Sequence, residues 1–269
     1  MSTDLWVPQT AIIQDVTPEI EGVMTFHLAL AESDDYSFLP GQFNMLYVPG
    51  AGEAAISMSG DPTSTELLAH TIRVVGNVTR SIGALQVGDS LGIRGPFGTG
   101  WPMEESAGRD VILVAGGIGL PPLRPVLYRL LAERERYGQI FLLYGARSPE
   151  LRLYTSEYSS WTARGVVIKE TVDRKTLGWH GNVGVVPLLL EQLEKFNPER
   201  SILMICGPEV MMRFTARSAI QRGMTAEQIW VSTERNMQCA WGCVDIASWD
   251  PNLSAKMALY FAMIRSPPI

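Results

Sequence analysis

The first hundred residues alternate apolar and polar side chains in short runs, which is the pattern of β-strands. Turn residues separate the runs, and one stretch, TRSIGALQ, has the spacing of a short helix. The predicted strands are TAIIQDV, GVMTFHLAL, FNMLYV, ELLAHTIRVV and SLGIRG. Short strands with little helix predict a small antiparallel barrel or sandwich over residues 1–104.

From residue 105 onward, continuous apolar runs of strand length alternate with amphipathic stretches of helix length. The predicted strands are VILVA, IFLLYG, VVIKETV, SILMIC and IWVS. Helices are predicted over PPLRPVLYRLLAERERYG, VPLLLEQLEKF and EVMMRFTARSAIQRG, and near SEYSSWTARG. This alternation predicts a parallel sheet covered by helices on both faces, over residues 105–233. Residues 234–269 do not continue the pattern and form a third, atypical segment.

Composition limits the partners and the compartment. The chain has 269 residues, enough for two domains, and a formal net charge of −6, which argues against nucleic-acid binding. No apolar run approaches the roughly 20 residues that span a bilayer, and the first residues lack the pattern of a signal peptide. Three cysteines are too few for a disulfide framework. We therefore expect a cytoplasmic protein without membrane insertion.

Two glycine motifs follow predicted strands in the second half. Gly116, Gly117 and Gly119 follow VILVA, and a helix is expected to open with Pro121 or Pro122 in its first turn. Such a turn brings backbone N–H groups to a pyrophosphate, although it is equally a tight connection without a ligand. The second motif, CGP at 206–208, follows SILMIC, so it would face the same crevice at the carboxyl ends of the strands. Cys206 alone would be interpreted as a small buried apolar residue.

Eight motifs in order carry a family resemblance: PGQF, AISMS, VGNVT, RGPFG, AGGIGLPPL, YGAR, CGPEVMM and ERNMQC. The chain resembles the ferredoxin–NADP reductase superfamily over about residues 5–243. It is most similar to the flavoprotein gamma subunits of nickel–iron hydrogenases and sulfhydrogenases, and also similar to the electron-transfer subunits of anaerobic sulfite reductase and dihydroorotate dehydrogenase. The resemblance implies a barrel that binds FAD and an α/β domain that binds NAD(P)H.

The resemblance also assigns residues to each cofactor. The Ser57 hydroxyl would lie near the flavin N5, and Cys206 would border the nicotinamide, so both are candidate catalytic residues. A short helix beginning at Thr79 would offer its amides to the flavin diphosphate. The alternative for the Ser57 segment is a plain β-strand with an inward serine, and the alternative for Thr79 is a plain threonine N-cap. The residues expected at the flavin are Gly41, Gln42, Phe43, Ile56, Ser57, Met58, Gly76 and Thr79. Those expected at the nicotinamide nucleotide are Gly116, Gly117, Gly119, Pro121, Gly145, Arg147, Cys206, Gly207, Pro208 and Met211.

The flavin motif departs from the superfamily pattern in two places. Ala54 and Ile56 occupy the positions at which an arginine and often a tyrosine precede the serine. Arg80 or Arg94 would have to supply the missing charge. For the nucleotide, Arg147 could bind a 2′-phosphate and favour NADP, or it could be an ordinary loop arginine, so the choice between NAD and NADP stays open.

The final segment begins like an iron–sulfur site but does not complete one. In the resembling subunits ERNM-x-C opens a [2Fe–2S] site with the spacing C-x4-C-x2-C and a further cysteine. Cys239 fits the first position, whereas Cys243 is one residue early and the other ligands are absent. The cluster typical of the family is therefore not expected to bind to this chain as printed.

A shifted reading frame from Gly242 onward would explain this departure. Translated one base out of register, with free choice of codons, the segment can be read with four cysteines at the spacing of the family. The alternative is that the segment evolved as printed, with LSAKMALYFAMI as an amphipathic helix that docks on a partner or on the core.

The predicted function is hydride exchange between NAD(P)H and FAD, coupled to relay of single electrons. The expected partners are the iron–sulfur and catalytic subunits of a hydrogenase or of a sulfur or sulfite reductase complex. The alternative function is a non-catalytic assembly subunit that keeps the fold without the cofactor. His27, His70 and His180 are too dispersed to predict a metal cluster.

Overall fold

A computed structural model describes residues 7–32, 36–64 and 66–232. The first half forms a six-stranded antiparallel sheet in the order β4-β3-β6-β1-β2-β5. Its strands are β1 (Gln9–Ile20), β2 (Val23–Leu30), β3 (Phe43–Val48), β4 (Gly52–Ser57), β5 (Leu68–Arg73) and β6 (Ser90–Phe97). Because alternate residues along these strands face inward, they enclose an apolar core that includes Ile13, Phe26, Leu46 and Ile72.

The sheet closes on itself between its two edge strands. An isolated antiparallel bridge pairs Met58, just after β4, with His70 in β5, and the Ser59 amide donates to the Ala69 carbonyl at 2.8 Å. Helix α1 (Asn77–Gly83) contacts β3, β4 and β5. The first half is thus a small antiparallel barrel, as the sequence predicted.

The second half is a six-stranded parallel sheet in the order β10-β9-β8-β7-β11-β12. Its strands are β7 (Asp110–Gly116), β8 (Ile140–Ala146), β9 (Val166–Val172), β10 (Asn182–Val183), β11 (Ser201–Cys206) and β12 (Ile229–Ser232). The central strands are buried throughout, which explains why they appear in the sequence as unbroken apolar runs.

Four helices cover the two faces of this sheet. They are α2 (Arg124–Ala132), α3 (Tyr158–Ala163), α4 (Val186–Glu191) and α5 (Glu209–Gln221). Residues of α2 and α3 share one apolar cluster with β7 and β8, and residues of α4 and α5 share another on the opposite face. The predicted sheet with helices on both faces is confirmed.

Single turns of 3-10 helix account for several differences from the prediction. They lie at Gly117–Gly119, Pro121–Leu123, Arg134–Arg136, Pro149–Leu151, Thr155–Glu157, Pro198–Arg200 and Ala226–Gln228. The helix expected to open at Pro121 or Pro122 therefore begins as an α-helix only at Arg124 and ends at Ala132. Strands β4 and β10 were absent from the strand prediction.

The two halves pack directly against each other. Val23 of β2 belongs to the same apolar cluster as the residues of α2, and Trp101, in the connection between β6 and β7, packs against that cluster. The predicted division at residue 104 lies in this connection and stays a prediction, as does the segment 234–269, which lies outside the described residues.

Candidate functional site

The two glycine motifs of the second half meet at the carboxyl edge of the parallel sheet. Strands β7 and β11 are neighbours, with Ala115 paired to Cys206, so the segments that follow them emerge side by side. A Cβ atom added to Gly119 would lie 2.2 Å from the Cys206 carbonyl oxygen and 2.8 Å from the Gly207 Cα. Only glycine therefore allows this approach, and the two motifs border one crevice.

Met211 and Pro208 fill the space beside the first glycine of the loop. A Cβ atom on Gly116 would lie 2.6 Å from the Met211 sulfur and 3.0 Å from Pro208 Cδ. Gly207, with φ of +153°, would meet Met211 Cε at 2.8 Å. Glycine is therefore needed at positions 116 and 207 because a larger residue would clash with neighbouring protein atoms. The same close packing holds helix α5 against the loop.

Gly117 differs from its neighbours, because nothing lies within 4 Å of the position its Cβ would take. Its φ is +54°, a left-handed conformation that favours glycine, and its backbone is partly exposed. Cys206, at the end of β11, is 6% exposed, and Pro121 of the following turn is buried. Gly117 is thus the position in the loop that is open to an approaching pyrophosphate.

Gly145 and Arg147 lie at the end of β8, farther along the same edge. The Cβ position of Gly145 is taken by Val186 of α4, at 2.1 Å, so this glycine permits helix packing. Arg147 is exposed, and its carbonyl accepts the Arg174 amide at 3.0 Å. Arg152 instead donates to Glu170 at 2.9 Å and lies 4.8 Å from the centre of the Trp179 ring. Of the two loop arginines, Arg147 is the one exposed to a ligand.

In the barrel, Ser57 ends β4 opposite Phe43 of β3. The next residue, Met58, is fully buried in the barrel core, and its amide donates to the Gln42 carbonyl at 3.0 Å. Gln42 in turn donates from Nε2 to the Gly98 carbonyl at 3.0 Å and accepts from the Leu39 amide. The PGQF segment therefore holds the end of the strand that carries Ser57.

Behind Ser57 lies a buried polar group of three side chains that the sequence did not single out: Tyr36, Asn44 and His70. His70 Nδ1 is 3.1 Å from the Ser57 carbonyl, and its Nε2 is 3.2 Å from Asn44 Nδ2. Tyr36 donates to Asn44 Oδ1 at 2.6 Å. Because a carbonyl only accepts, Nδ1 carries the proton and Nε2 accepts from the amide.

Burial lowers the pKa of His70 to about 4, although backbone contacts at Ser57 and Ile56 act in the opposite direction. The imidazole is therefore neutral at physiological pH, which suits an Nε2 that faces an amide donor. The sequence signal for Asn44 and His70 was their position as polar residues inside the apolar strands FNMLYV and LLAHTI, and no signal marked Tyr36.

Helix α1 begins at Asn77 with Gly76 as its N-cap, so the expected start at Thr79 was wrong by two residues. Thr79 lies in the first turn, where its Oγ1 accepts from the Gly76 and Val75 amides at 2.8 and 3.1 Å. That hydroxyl orders the turn, and the threonine amide lies two residues deeper in the helix than expected. Arg80 is exposed and folds back to donate to the Gly76 and Val75 carbonyls.

Of the two arginines proposed to replace the missing one, Arg94 is buried beside Glu53. Its Nε donates to the carboxylate at 2.8 Å, and its guanidinium lies 5.4 Å from the centre of the Phe97 ring. A second guanidinium nitrogen also donates to this partly exposed carboxylate, and the resulting bidentate ion pair holds the charge within the barrel. Arg80, exposed beside Gly76, is the better placed of the two for a diphosphate.

Two further contacts, missed from the sequence, connect the expected flavin and nucleotide segments. A Cβ on Gly41 would lie 2.8 Å from the Trp101 ring, whose Nε1 donates to the Pro122 carbonyl at 3.2 Å. Arg124, at the start of α2, donates from a terminal nitrogen to the Ser59 carbonyl at 3.1 Å. The segment after the glycine loop is therefore hydrogen-bonded to the segment after Ser57.

Within the described ranges there is no group of three or more histidine, cysteine, aspartate or glutamate side chains that could hold a metal ion. Nor does any helix in those ranges combine the length and apolar character needed to cross a membrane. Cys239, the expected first cluster ligand, lies outside them.

Comparison with known proteins identifies the family. The profile of the oxidoreductase NAD-binding domain matches residues 113–217. The sulfhydrogenase 2 gamma subunit of Pyrococcus furiosus is 35% identical over 78% of this chain and 76% of its own length. A ferredoxin NADP+ reductase from Neisseria gonorrhoeae, solved with bound FAD and NADP, superposes with a TM-score of 0.72 at 21% identity, over 83% of this chain and 97% of that one. The chain belongs to the ferredoxin–NADP reductase superfamily.

A second group of relatives within the superfamily also matches most of the chain. The probable dihydroorotate dehydrogenase B electron transfer subunit of Methanocella arvoryzae is 32% identical over 91% of this chain and 86% of its own length. The resemblance inferred from the motifs is confirmed. Members of the ferredoxin–NADP reductase superfamily are flavin- and nicotinamide-dependent oxidoreductases, and this membership gives the enzyme class of the chain.

Proposed function

We propose that this protein is an electron-transfer flavoprotein subunit that exchanges a hydride between NAD(P)H and FAD and passes single electrons to iron–sulfur partners. When both groups are bound, the nicotinamide supplies two electrons as a hydride at C4, and the flavin accepts them at N5 and releases them singly. The residues of this chain bind the two groups and position the nicotinamide against the flavin.

One contact carries this proposal: the 3.1 Å hydrogen bond from Arg124 to the Ser59 carbonyl. Ser59 is two residues from Ser57, and Arg124 is five residues from Gly119, so the bond joins the strand expected at the flavin to the loop expected at the nucleotide. A flavin against Ser57 and a nicotinamide beside Cys206 would then face each other between the two halves. Exclusion of water by this packing favours direct transfer.

The residues present suit both organic cofactors. Gly117 leaves its backbone open for a pyrophosphate, and Gly76 with the first turn of α1 exposes a second run of backbone beside Arg80. Ser57 is partly exposed and can place its hydroxyl at the flavin edge, whereas Ile56, in place of an aromatic ring, offers only an apolar contact. We therefore expect FAD to bind, with its affinity dependent on Arg80.

A [2Fe–2S] cluster does not fit this chain as printed. Two irons require four ligands, and the two cysteines at 239 and 243 are the only ones in the final segment. Cys206, the other cysteine, is a buried residue at the end of β11. We infer that the segment from residue 243 onward is a shifted reading of an iron–sulfur segment. Sequencing the gene across codon 242 tests this inference: an open second frame with cysteines at x4, x2 and x7 supports it, and stop codons or unrelated residues overturn it.

The names of the relatives support the type of partner. Sulfhydrogenase gamma subunits and dihydroorotate dehydrogenase electron transfer subunits are parts of larger redox assemblies. We propose that this chain likewise works with iron–sulfur and catalytic subunits, of a hydrogenase or of a sulfur or sulfite reductase.

The test is reconstitution of the full chain with FAD under anaerobic conditions, followed by titration with NADH and NADPH. We expect a yellow protein whose flavin absorbance is bleached by one of them, and reduction of an artificial acceptor such as ferricyanide. Ser57→Ala should slow flavin reduction, while Ser90→Ala, at an exposed position of the same barrel, should not. Wild-type protein that stays colourless with excess FAD would exclude this function.

The second candidate function is a non-catalytic assembly subunit, which the residues Ala54 and Ile56 favour, because they replace a charged and an aromatic contact with the flavin. It predicts a folded protein that binds its neighbouring subunits without flavin. Co-purification from cells that express the neighbouring subunits, with the flavin content measured, separates the two functions.

A further inference from the structure

Tyr154 has the only left-handed backbone among the non-glycine residues of the described chain, with φ of 56° and ψ of 29°. For a bulky side chain this conformation is unfavourable and persists only where its surroundings hold it. Tyr154 is 3% exposed and lies in the loop between β8 and α3, where the second half faces the barrel. A strained, buried residue at this boundary calls for a functional explanation.

The Tyr154 hydroxyl is hydrogen-bonded across the boundary to Thr71 of β5, at 2.6 Å. The Thr71 hydroxyl also lies 2.9 Å from Ser59 Oγ and 2.8 Å from Thr25 Oγ1. Thr25 in turn donates to Glu19 at 2.6 Å. Four hydroxyls thus form one continuous buried group, and the segment that follows Ser57 is part of it.

Arg124 lies against the same tyrosine. Its guanidinium is 4.2 Å from the centre of the Tyr154 ring and 5.2 Å from that of Tyr128, and it donates to Glu157 at 2.5 Å and to the Ser59 carbonyl at 3.1 Å. Tyr128 donates to the other Glu157 oxygen at 2.7 Å. Burial opposes the charge on Arg124, but Tyr154, Tyr128 and Glu157 hold its pKa above its usual value. The guanidinium therefore stays charged and oriented.

We propose that Arg124 and Tyr154 are positioning residues for hydride transfer, which set the spacing between the flavin and the nicotinamide by fixing the Ser57–Ser59 segment against the start of α2. This inference rests on the proposed function. Both residues bind groups in the barrel from elements of the second half, and neither belongs to the expected binding motifs. Because transfer rates are steeply sensitive to the approach of the reacting atoms, a displacement of about 1 Å can cost on the order of 10²-fold in rate.

The test uses conservative variants of the full flavin-loaded chain: Tyr154→Phe, Thr71→Val and Arg124→Lys. Tyr154→Phe removes one hydroxyl and keeps the ring under Arg124. The control is Tyr137→Phe, which removes a hydroxyl from another buried tyrosine, 3.5 Å from Glu133. Tyr137 precedes β8, at the amino edge of the parallel sheet, whereas the glycine motifs lie at its carboxyl edge. The hydride-transfer rate constant is measured by stopped flow with NAD(P)H and with its C4-deuterated form, and the Kd of the nucleotide is measured separately.

For Tyr154→Phe and Thr71→Val we expect hydride transfer to be slower by about tenfold, a primary isotope effect different from that of the wild type, and a nucleotide Kd within about twofold. The double variant should be no slower than Thr71→Val alone, because the hydrogen bond that Tyr154→Phe removes is already absent in Thr71→Val. Arg124→Lys should retain part of the rate, since lysine keeps the charge but cannot reach Ser59 and Glu157 together.

A merely structural role predicts another result: lower melting temperatures with the rate constant and isotope effect of the wild type. That outcome in Tyr154→Phe and Arg124→Lys would overturn the inference, as would an equal rate loss in Tyr137→Phe. A wild-type protein without NAD(P)H-dependent flavin reduction would instead reject the proposed function, so the two failures are distinguishable.

Discussion

The contact between Gly119 and the Cys206–Gly207 peptide gives the sharpest prediction. In Gly119→Ala the new Cβ would lie 2.2 Å from a backbone oxygen and 2.5 Å from a backbone carbon. Real Cβ atoms essentially never approach closer than 3.0 Å, so the two segments must separate by at least about 0.8 Å. The clash is with backbone atoms, which cannot rotate away as a flexible side chain would.

Two effects of similar size follow from this displacement. Overpacking typically costs about 1–3 kcal/mol of the free energy of unfolding. The rate of transfer should also fall, because a shift approaching 1 Å between the nucleotide loop and Cys206 can slow transfer by up to about 10²-fold, or about 2.7 kcal/mol in the activation free energy. We expect FAD content to be unchanged, since the flavin segment lies in the barrel.

The assay is anaerobic stopped-flow reduction of the bound flavin at several NAD(P)H concentrations, with thermal unfolding measured in parallel. Gly22→Ala is the matched control: Gly22 has φ of +73° and nothing within 4 Å of its Cβ position. It should cost about 1–2 kcal/mol through backbone strain and leave hydride transfer intact. If Gly119→Ala reduced flavin as fast as the wild type, the crevice between these motifs would not be the nicotinamide site.

Three further predictions concern other parts of the site. His70 has a pKa of about 4 in the folded protein against 6.5 in the unfolded chain, so it contributes stability above pH 6.5 that is lost as the pH falls towards 4. Between pH 7 and pH 5 this loss is about 2 kcal/mol. In His70→Gln the free energy of unfolding, measured by urea denaturation, should therefore depend less on pH than in the wild type. An equal pH dependence in the two proteins would contradict this linkage. Arg80→Gln should weaken FAD binding about tenfold, or ~1.4 kcal/mol, through loss of a charged hydrogen bond, whereas Arg200→Gln, at the opposite edge of the parallel sheet, should not; fluorescence titration with FAD measures both. Arg147→Ala should lower kcat/KM for NADPH by about tenfold through loss of a charged phosphate contact and leave that for NADH unchanged; an equal loss for both would show that Arg147 does not bind the 2′-phosphate.

Most of the fold was predictable because its signals are local. The strands β7, β8 and β11 are buried on both faces and appear as apolar runs, and α5 keeps its apolar face over its whole length. Strand β4 was missed because Gly52, Glu53 and two alanines are weak strand formers, and pairing with β3 compensates.

Where the prediction of helix ends failed, the cause lies in distant residues. Helix α4 was expected to reach Phe196 but ends at Glu191. Arg222, which follows α5, donates to the carbonyls of Leu190 and Leu193, and its guanidinium lies 4.4 Å from the centre of the Phe196 ring. Because these carbonyls accept hydrogen bonds from the Arg222 side chain, they do not need the amide donors of a further helical turn.

The binding motifs were visible in the sequence, but the contacts between them were not. Glycine and proline are typical of turns, so Gly117 and Gly207 could be identified from their residue type and from their position after a predicted strand. Tyr154 and Thr71 lie 83 residues apart in the chain, and no local pattern marks a hydrogen bond over that separation. Arg124 likewise begins α2 without any signal in the sequence that its partner is a barrel carbonyl.

The way the barrel closes has a consequence for how the cofactor enters and leaves. Every other neighbouring pair of strands in that sheet shares a ladder, whereas the backbone of its seam is joined by the single Met58–His70 bridge and the adjoining Ser59–Ala69 hydrogen bond. Side-chain hydrogen bonds from His70 to the Ser57 carbonyl and between Thr71 and Ser59 supplement this sparse pairing, so opening of the seam, which borders Ser57, requires the loss of few backbone bonds. Bound flavin would then stabilise the closed seam, and hydrogen exchange of the Met58 and Ser59 amides should accelerate when the flavin dissociates.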